Sequence, residues 1–194
     1  MMKELVIASN NQGKIAEITS LIQTIRLLSL TDIGFHETIE EPFHTFEENA
    51  FAKVKTIHDF CQKNCFADDS GLCVPALNHA PGVHSAYYGG LPRSDAKNNE
   101  RLLMELQQAS DRSACYRCVI CLIWKGETHY FEGTCEGRIA TAPMGNGGFG
   151  YDPLFIPNGY EDSFGILPIE VKNSLSHRGK AVQKMIAFIK KQGA

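Results

Sequence analysis

The chain has 194 residues, 43% of them hydrophobic and 21% charged, which are the proportions of an ordinary folded protein and not of a disordered one. Its 19 Lys and Arg against 22 Asp and Glu leave a formal charge of -3, so there is no basic footprint for duplex nucleic acid or for an anionic membrane surface. No run approaches the roughly 20 apolar residues of a bilayer-spanning helix, and the apolar stretch 5–8 is too short for a signal-peptide core. A single domain over 1–194 is expected, cytoplasmic, with no nucleic-acid partner and no membrane partner.

Residues 3–8 read as a short apolar strand, and Ser9-Asn10-Asn11-Gln12-Gly13 is turn chemistry. From Lys14 onward, Ile15, Ile18, Leu21, Ile22 and Ile25 recur at helical spacing. Residues 26–30 make a second strand, and a polar loop with Glu40-Glu41-Pro42 follows. Thr45 and Glu48 form a capping box. It opens a helix to about Gln62 with Ala50, Phe51, Val54, Ile57 and Phe60 turned inward. A strand enters at 65–67, is interrupted by Asp68-Asp69-Ser70-Gly71 and resumes at 72–74. Residues 78–93, with their prolines and glycines, are loop, and Ser94 or Asp95 caps a helix through Leu102, Leu103 and Leu106. The strand 114–124 turns at Lys125-Gly126-Glu127 and returns over 128–135 as a hairpin. Residues 143–150 hold four of the 17 glycines, a density that marks close backbone approach. Ser176 caps a last helix carrying Val182, Met185, Ile186 and Ile189. The order is mixed α/β, with crossovers and a hairpin.

Seven cysteines without a secretion signal are expected as reduced thiols. Cys115, Cys118 and Cys121 lack the fourth cysteine of a ferredoxin-type run, because position 125 is Lys. On a strand, Cys115 and Cys121 share one face and Cys118 takes the other, so the three serve as small core side chains.

Several segments carry chemistry, each with a plainer structural alternative. A helix starting near Lys14 offers free backbone N–H groups to phosphate. Ser9 and Asn11 add donors and Lys14 adds charge, although Ile15 after Lys14 excludes a Walker A loop; a capped surface turn has the same sequence. Asp68 and Asp69 point to opposite faces of a strand, which leaves one for structure and one for a site. Glu40-Glu41 supplies a second carboxylate pair in a loop, and such oxygen ligands suit Mg2+. Lys53 lies one helical turn after Asn49 on the less apolar face, which also describes a solvated lysine. Phe149-Gly150-Tyr151-Asp152 sets aromatics beside a carboxylate, a pairing that can stack a base and accept from its ring N–H. His177 and Arg178 in the first turn of a helix oppose its dipole, which asks for an anionic or polar neighbour.

In this order the motifs resemble the inosine triphosphate pyrophosphatase family, the non-canonical purine nucleoside triphosphate pyrophosphatases (dITP/XTP pyrophosphatases). The matching pieces are Ala8-Ser-Asn-Asn-Gln-Gly-Lys14, Glu40-Glu41 with Thr45-Phe-Glu-Glu-Asn-Ala50 and Lys53, Ala67-Asp-Asp-Ser-Gly71, Pro81-Gly-Val-His-Ser-Ala86, Gly147-Gly-Phe-Gly-Tyr-Asp-Pro153, Lys172 and Ser176-His-Arg-Gly179. Two positions depart from the family pattern: Tyr87 follows Ala86 where Arg is usual, and Ile166 stands where an acid is usual. The resemblance implies a long mixed central β-sheet with flanking helices, two lobes and an active-site cleft between them, in a homodimer. It implies Mg2+-dependent hydrolysis of inosine, deoxyinosine and xanthosine triphosphates to the monophosphate and pyrophosphate. Carried over by position, the loop Ser9, Asn10, Asn11, Gln12, Gly13 and Lys14, together with Lys53, would hold the triphosphate. Glu41 and Asp69 would engage the metal, with Asp69 catalytic in activating water. Ser70, Phe149, Gly150, Tyr151, Asp152, Lys172, His177 and Arg178 would line the nucleotide and base pocket. Two readings compete: a non-catalytic nucleotide sensor, and a pyrophosphatase for modified pyrimidine triphosphates.

Overall fold

The computed structural model describes residues 4–22 and 24–193, so Lys3 of the expected first strand lies outside the described residues. A six-stranded sheet runs in the order β2-β1-β3-β4-β5-β6. Its strands are β1 (Glu4–Ile7), β2 (Arg26–Leu28), β3 (Cys65–Cys73), β4 (Ser113–Trp124), β5 (Glu127–Ile139) and β6 (Phe155–Pro157). The helices are α1 (Gln12–Leu21), α2 (Phe46–Cys61), α3 (Asp95–Glu105), α4 (Ile169–Leu175) and α5 (His177–Lys191). β1 pairs in parallel with β2 and β3, whereas β5 and β6 pair antiparallel, so the sheet is mixed. Among the described residues no helix is long and apolar enough to cross a membrane.

The chain divides into two compact units. Unit 1 comprises 1–69, 118–133 and 178–194, and unit 2 comprises 70–117 and 134–177. Unit 1 has two apolar layers, as the period-two alternation of strands requires. Leu5, Ile7, Phe66, Cys118, Ile120, Leu122 and Trp124 pack with Ile18 of α1 and with Ala181, Val182, Met185 and Ile189 of α5. Val6, Ala8, Cys65, Ala67, Cys121 and Ile123 pack with Ala50, Val54 and Ile57 of α2. Cys118 and Cys121 thus enter different layers, and the cysteines that the structure describes are free thiols. Unit 2 has its own core of Leu72, Val74, Leu102, Leu106, Tyr116, Ile139, Leu154, Phe155 and Phe164, with β5, β6 and α3 contributing.

Several expected boundaries move, each for a local reason. α1 starts at Gln12 and not near Lys14, because Asn11 is the cap: its side-chain oxygen accepts from the Lys14 N–H at 3.2 Å. β2 stops at Leu28, where the Ser29 N–H donates to Asp32 Oδ2 at 2.8 Å and turns the chain. α2 carries the expected Thr45 cap, but Phe51 and Phe60 are exposed instead of inward. The face that is buried holds Asn49, Ala50, Lys53, Val54 and Ile57, and Phe60 packs edge-on against Phe35 at 5.3 Å. The stretch 78–93 contains a 3-10 turn, Gly82–Tyr87. The hairpin has φ of 52° at Lys125 and 83° at Gly126, the two positive values of a tight turn that matches strand twist, and its return strand extends to Ile139. A short α4 precedes the last helix, and Ser176 is its C-cap.

β3 is not interrupted at Asp68-Asp69-Ser70-Gly71 but runs through it. Gly71 makes this possible in unit 2: a Cβ there would overlap the Gly82 carbonyl oxygen and stand 2.5 Å from Ser85 Oγ. Gly71→Ala is therefore expected to destabilise by about 1–3 kcal/mol or more through overpacking against backbone, measurable as a lower denaturant midpoint; an unchanged midpoint would show that the Gly82 turn can yield.

Candidate active site

In unit 1 the loop after β1 is organised by its own side chains. Ser9 Oγ accepts from the Asn11 N–H at 3.2 Å while Asn11 caps α1. Asn10 and Gln12 are exposed, and Ser9, Gly13 and Lys14 are partly buried. The Lys14 ammonium lies 3.0 Å from Asp68 Oδ2. That oxygen also faces Arg178 Nε at 3.3 Å, and the Arg178 Nη1 is bonded to Glu17 of α1. Cys118 Sγ is 4.0 Å from the same Asp68 Oδ2. Asp68, Arg178 and Glu17 are all buried, whereas Lys14 keeps 14% of its side chain exposed.

Asp69, one residue on, faces the other layer. Its Oδ1 is 3.6 Å from Lys53 Nζ, and its Oδ2 accepts from Asn49 Nδ2 at 3.2 Å. Lys53 is bonded to Glu41 as well. Asn49 reaches back to the loop that carries Glu41: its Oδ1 accepts from the Phe43 N–H at 2.9 Å, and its Nδ2 donates to the Phe43 carbonyl at 3.1 Å. Glu41 and Glu40 are both exposed, and it is Glu41 that pairs with Lys53.

The two aspartates titrate in opposite directions. Burial pushes Asp68 up, but Lys14, Arg178 and Lys53 outweigh it and hold the carboxyl below the usual range. For Asp69 burial wins: Lys53 and Lys14 pull down, Glu41 pushes up, and the carboxyl titrates above its ordinary value. Burial works against the charge on Lys53, yet Asp69, Glu41 and Asp68 keep it protonated and raise it. A carboxyl raised in this way is better matched to taking a proton near neutral pH. The Cys118 thiol, pushed up to about 12 by burial and then by Asp68, stays protonated and is no nucleophile.

Among the described residues no group of three or more His, Cys, Asp or Glu is arranged to hold a metal on its own. Mg2+ does not need one, because it takes one or two carboxylates and completes its shell with water and substrate phosphates. Glu41 and Asp69 fit that role: both are hard oxygen donors, and both already face a single cationic group, the Lys53 ammonium.

Unit 2 holds the glycine-rich segment. Asp152 Oδ2 accepts from the Phe149 N–H at 2.8 Å and from Lys172 Nζ at 2.6 Å, and the Lys172 ammonium stands 5.0 Å over the Phe149 ring. Gly148, at φ +74°, lies where a Cβ would meet the Asp152 carboxylate. Gly150 is clasped from α3, its N–H donating to Asp95 Oδ2 at 2.7 Å and its carbonyl accepting from Asn99 Nδ2 at 3.0 Å. The Tyr151 hydroxyl donates to the Ser85 carbonyl at 2.8 Å. The His177 ring stacks on Tyr116 at 4.6 Å with planes 5° apart. Ser70 is partly buried on β3.

The expected residues therefore fall into two sets. Lys14, Glu41, Lys53, Asp69 and Arg178 meet in unit 1 with Asp68. Phe149, Asp152 and Lys172 meet in unit 2, with Gly150, Tyr151 and His177 anchored in the same unit. Sequence reasoning missed Glu17, Asn49 as the pivot of Asp69 and Glu41, the Asp95–Asn99 clasp and the Tyr116 stack. The only signal for Glu17 was its place one turn after Lys14 and one residue before the core residue Ile18.

A family model described as the Ham1 family matches residues 5–188. A Flavobacterium psychrophilum protein named dITP/XTP pyrophosphatase is 46% identical over 188 residues, covering 96% of this chain and 99% of that protein. A Porphyromonas gingivalis protein of the same name is 43% identical over 190 residues, covering 97% and 98% respectively. The solved structure of the Staphylococcus aureus Ham1 protein superposes with a TM-score of 0.90 at 40% identity, covering 98% of this chain and 100% of that one. A HAM1 protein from Coxiella burnetii gives the same TM-score at 36% identity, covering 98% of this chain and 100% of that one. With the mixed sheet, the flanking helices and a match from residue 5 to residue 188, the chain belongs to the Ham1 family.

Proposed function

We propose that this protein is a nucleoside triphosphate pyrophosphohydrolase. It hydrolyses inosine, deoxyinosine and xanthosine triphosphates to the monophosphate and pyrophosphate with Mg2+. The observation that carries the reading is the pair of carboxylates, Glu41 and Asp69, facing one buried ammonium in the unit that also holds Lys14 and the start of α1. The names of the relatives at 46% and 43% identity support the substrate class.

Cleaving the α–β anhydride asks for charge neutralisation and positioning more than for covalent work by the protein. Glu41 and Asp69 would hold Mg2+, which when bound would supply Lewis-acid charge and lower the pKa of water. Asp69 accepts the proton of the attacking water, and Asn49 fixes its carboxylate for that task. Lys14, Lys53 and the N–H groups at the start of α1 take phosphate oxygens. Arg178, its guanidinium oriented by Glu17 and Asp68, donates to a 6-oxo group. Adenine would set an amino donor against that donor, and an unpaired buried polar group of this kind can discriminate by about 10⁴-fold.

A panel of purine and pyrimidine nucleoside triphosphates, followed by pyrophosphate release, tests the reading. Inosine, deoxyinosine and xanthosine triphosphates are expected to exceed ATP in kcat/KM by at least about 10²-fold, within the range such contacts supply. Chelating the divalent ion is expected to abolish release. Equal turnover of ATP, a preference for a modified pyrimidine, or full activity in chelator would each overturn it.

A further inference from the structure

A helix lysine ordinarily reaches into water. Lys53 does not: it is 5% exposed, and its ammonium is bonded to Glu41 and lies 3.6 Å from Asp69 Oδ1. Asp69 is positioned without it, and so is the backbone of the loop that carries Glu41. Asn49 Nδ2 holds Asp69 Oδ2 at 3.2 Å, and the same side chain grips the Phe43 backbone two residues beyond Glu41, at 2.9 and 3.1 Å. Lys53 therefore places positive charge between carboxylates that would otherwise face each other as like charges.

We propose that Lys53 is a built-in counter-ion. In the nucleotide-free protein it occupies the position of the divalent cation, and it leaves only when a polyphosphate can receive its ammonium, so that metal and nucleotide load together. This inference rests on the pyrophosphohydrolase reading above. Mg2+ must approach carboxylate oxygens to 2.0–2.1 Å, which the ammonium blocks by volume and opposes by charge. A buried ammonium turned away from its partners needs another anion. Asp68 is an unsuitable one, because it lies on the opposite face of β3 and already holds Lys14 at 3.0 Å and Arg178 at 3.3 Å. A triphosphate supplies the missing anion, and the flexible four-carbon stem lets the head group swing to it. Coupling of this kind is reciprocal: whatever metal does for nucleotide affinity, nucleotide does for metal affinity.

The test is a titration of the full-length protein, free of nucleotide, with Mn2+, read by the EPR signal of the unbound ion. Lys53→Met is expected to bind Mn2+ at least tenfold more tightly than wild type. Lys53→Arg, which retains a cation, is expected to bind as weakly as wild type. Lys55→Met, on the exposed side of the same helix, is expected to change nothing. Should Lys53→Met fail to fold by circular dichroism, Lys53→Gln is held to the same tenfold criterion. Binding by the neutral variant no tighter than wild type overturns the proposal, as does tight binding by Lys53→Arg. Pyrophosphate release by the wild type is scored separately. Its absence sinks the enzymatic reading whatever the Mn2+ data show, and unchanged Mn2+ affinity beside normal release sinks only the counter-ion.

Discussion

Asp69→Asn should abolish pyrophosphate release, by about 10³-fold or more, without unfolding the protein. The carboxylate is assigned both as proton acceptor, a role commonly worth about 10²–10⁴-fold, and as half of the oxygen pair for the divalent ion. The amide has nearly the same shape and can still accept from Asn49 Nδ2. Burial already disfavours the ionised form of Asp69 and raises its titration, so removing that charge relieves a cost. Thermal unfolding of the variant is therefore expected at or above the wild-type temperature, as when a strained functional group is neutralised. A variant that keeps a tenth of the wild-type rate would remove Asp69 from the chemistry.

Asp68→Asn should behave in the opposite way, as a loss of stability. It leaves Lys14 and the buried Arg178 facing an amide in place of a carboxylate, and breaking a buried pair from one side costs about 3–5 kcal/mol. The sign of the pH dependence follows from the depressed carboxyl. In the unfolded chain the group titrates near 3.8, and in the folded protein it titrates lower, held down by Lys14, Arg178 and Lys53 against burial. Its contribution is thus fully present above about 3.8 and fades as pH falls from there toward the folded value. Denaturant unfolding of the metal-free protein should show a wide gap between wild type and variant at pH 7, narrowing as the pH is taken below 4. A gap that held constant would mean that the loss comes from packing and not from charge.

The division of labour between these neighbours was readable from strand periodicity alone, since adjacent residues on a strand must face opposite ways. The α2 cap and the glycine-rich loop were readable for similar reasons: both are local patterns with local causes. What stayed hidden depends on contacts distant in sequence. Glu17 resembles any helix surface acid until Arg178 arrives from α5 to bury it. Lys53 fits a solvated helix face until Glu41 and Asp69 close over it. Phe51 and Phe60 were misplaced because apolar character was taken as burial, whereas the packed face of α2 includes Asn49 and Lys53. The strand order escaped sequence reading as well, because β1 finds β3 with α1, β2 and α2 intervening in the chain.

The path of the chain has a consequence for biosynthesis. It passes from one unit to the other at 69/70, 117/118, 133/134 and 177/178. One apolar layer of unit 1 sets Leu5 and Ile7 of β1 against Ala181, Val182, Met185 and Ile189 of α5. A nascent polypeptide can therefore hold that layer only half assembled until α5 has been translated, and β1 waits with an unshielded greasy face while everything from β2 to α4 is made. Pairings so far apart in sequence fold late and leave sticky surface exposed meanwhile. This makes the newly made protein a natural client for a holding chaperone, and any premature stop codon ahead of α5 a recipe for aggregation and not for a smaller working enzyme.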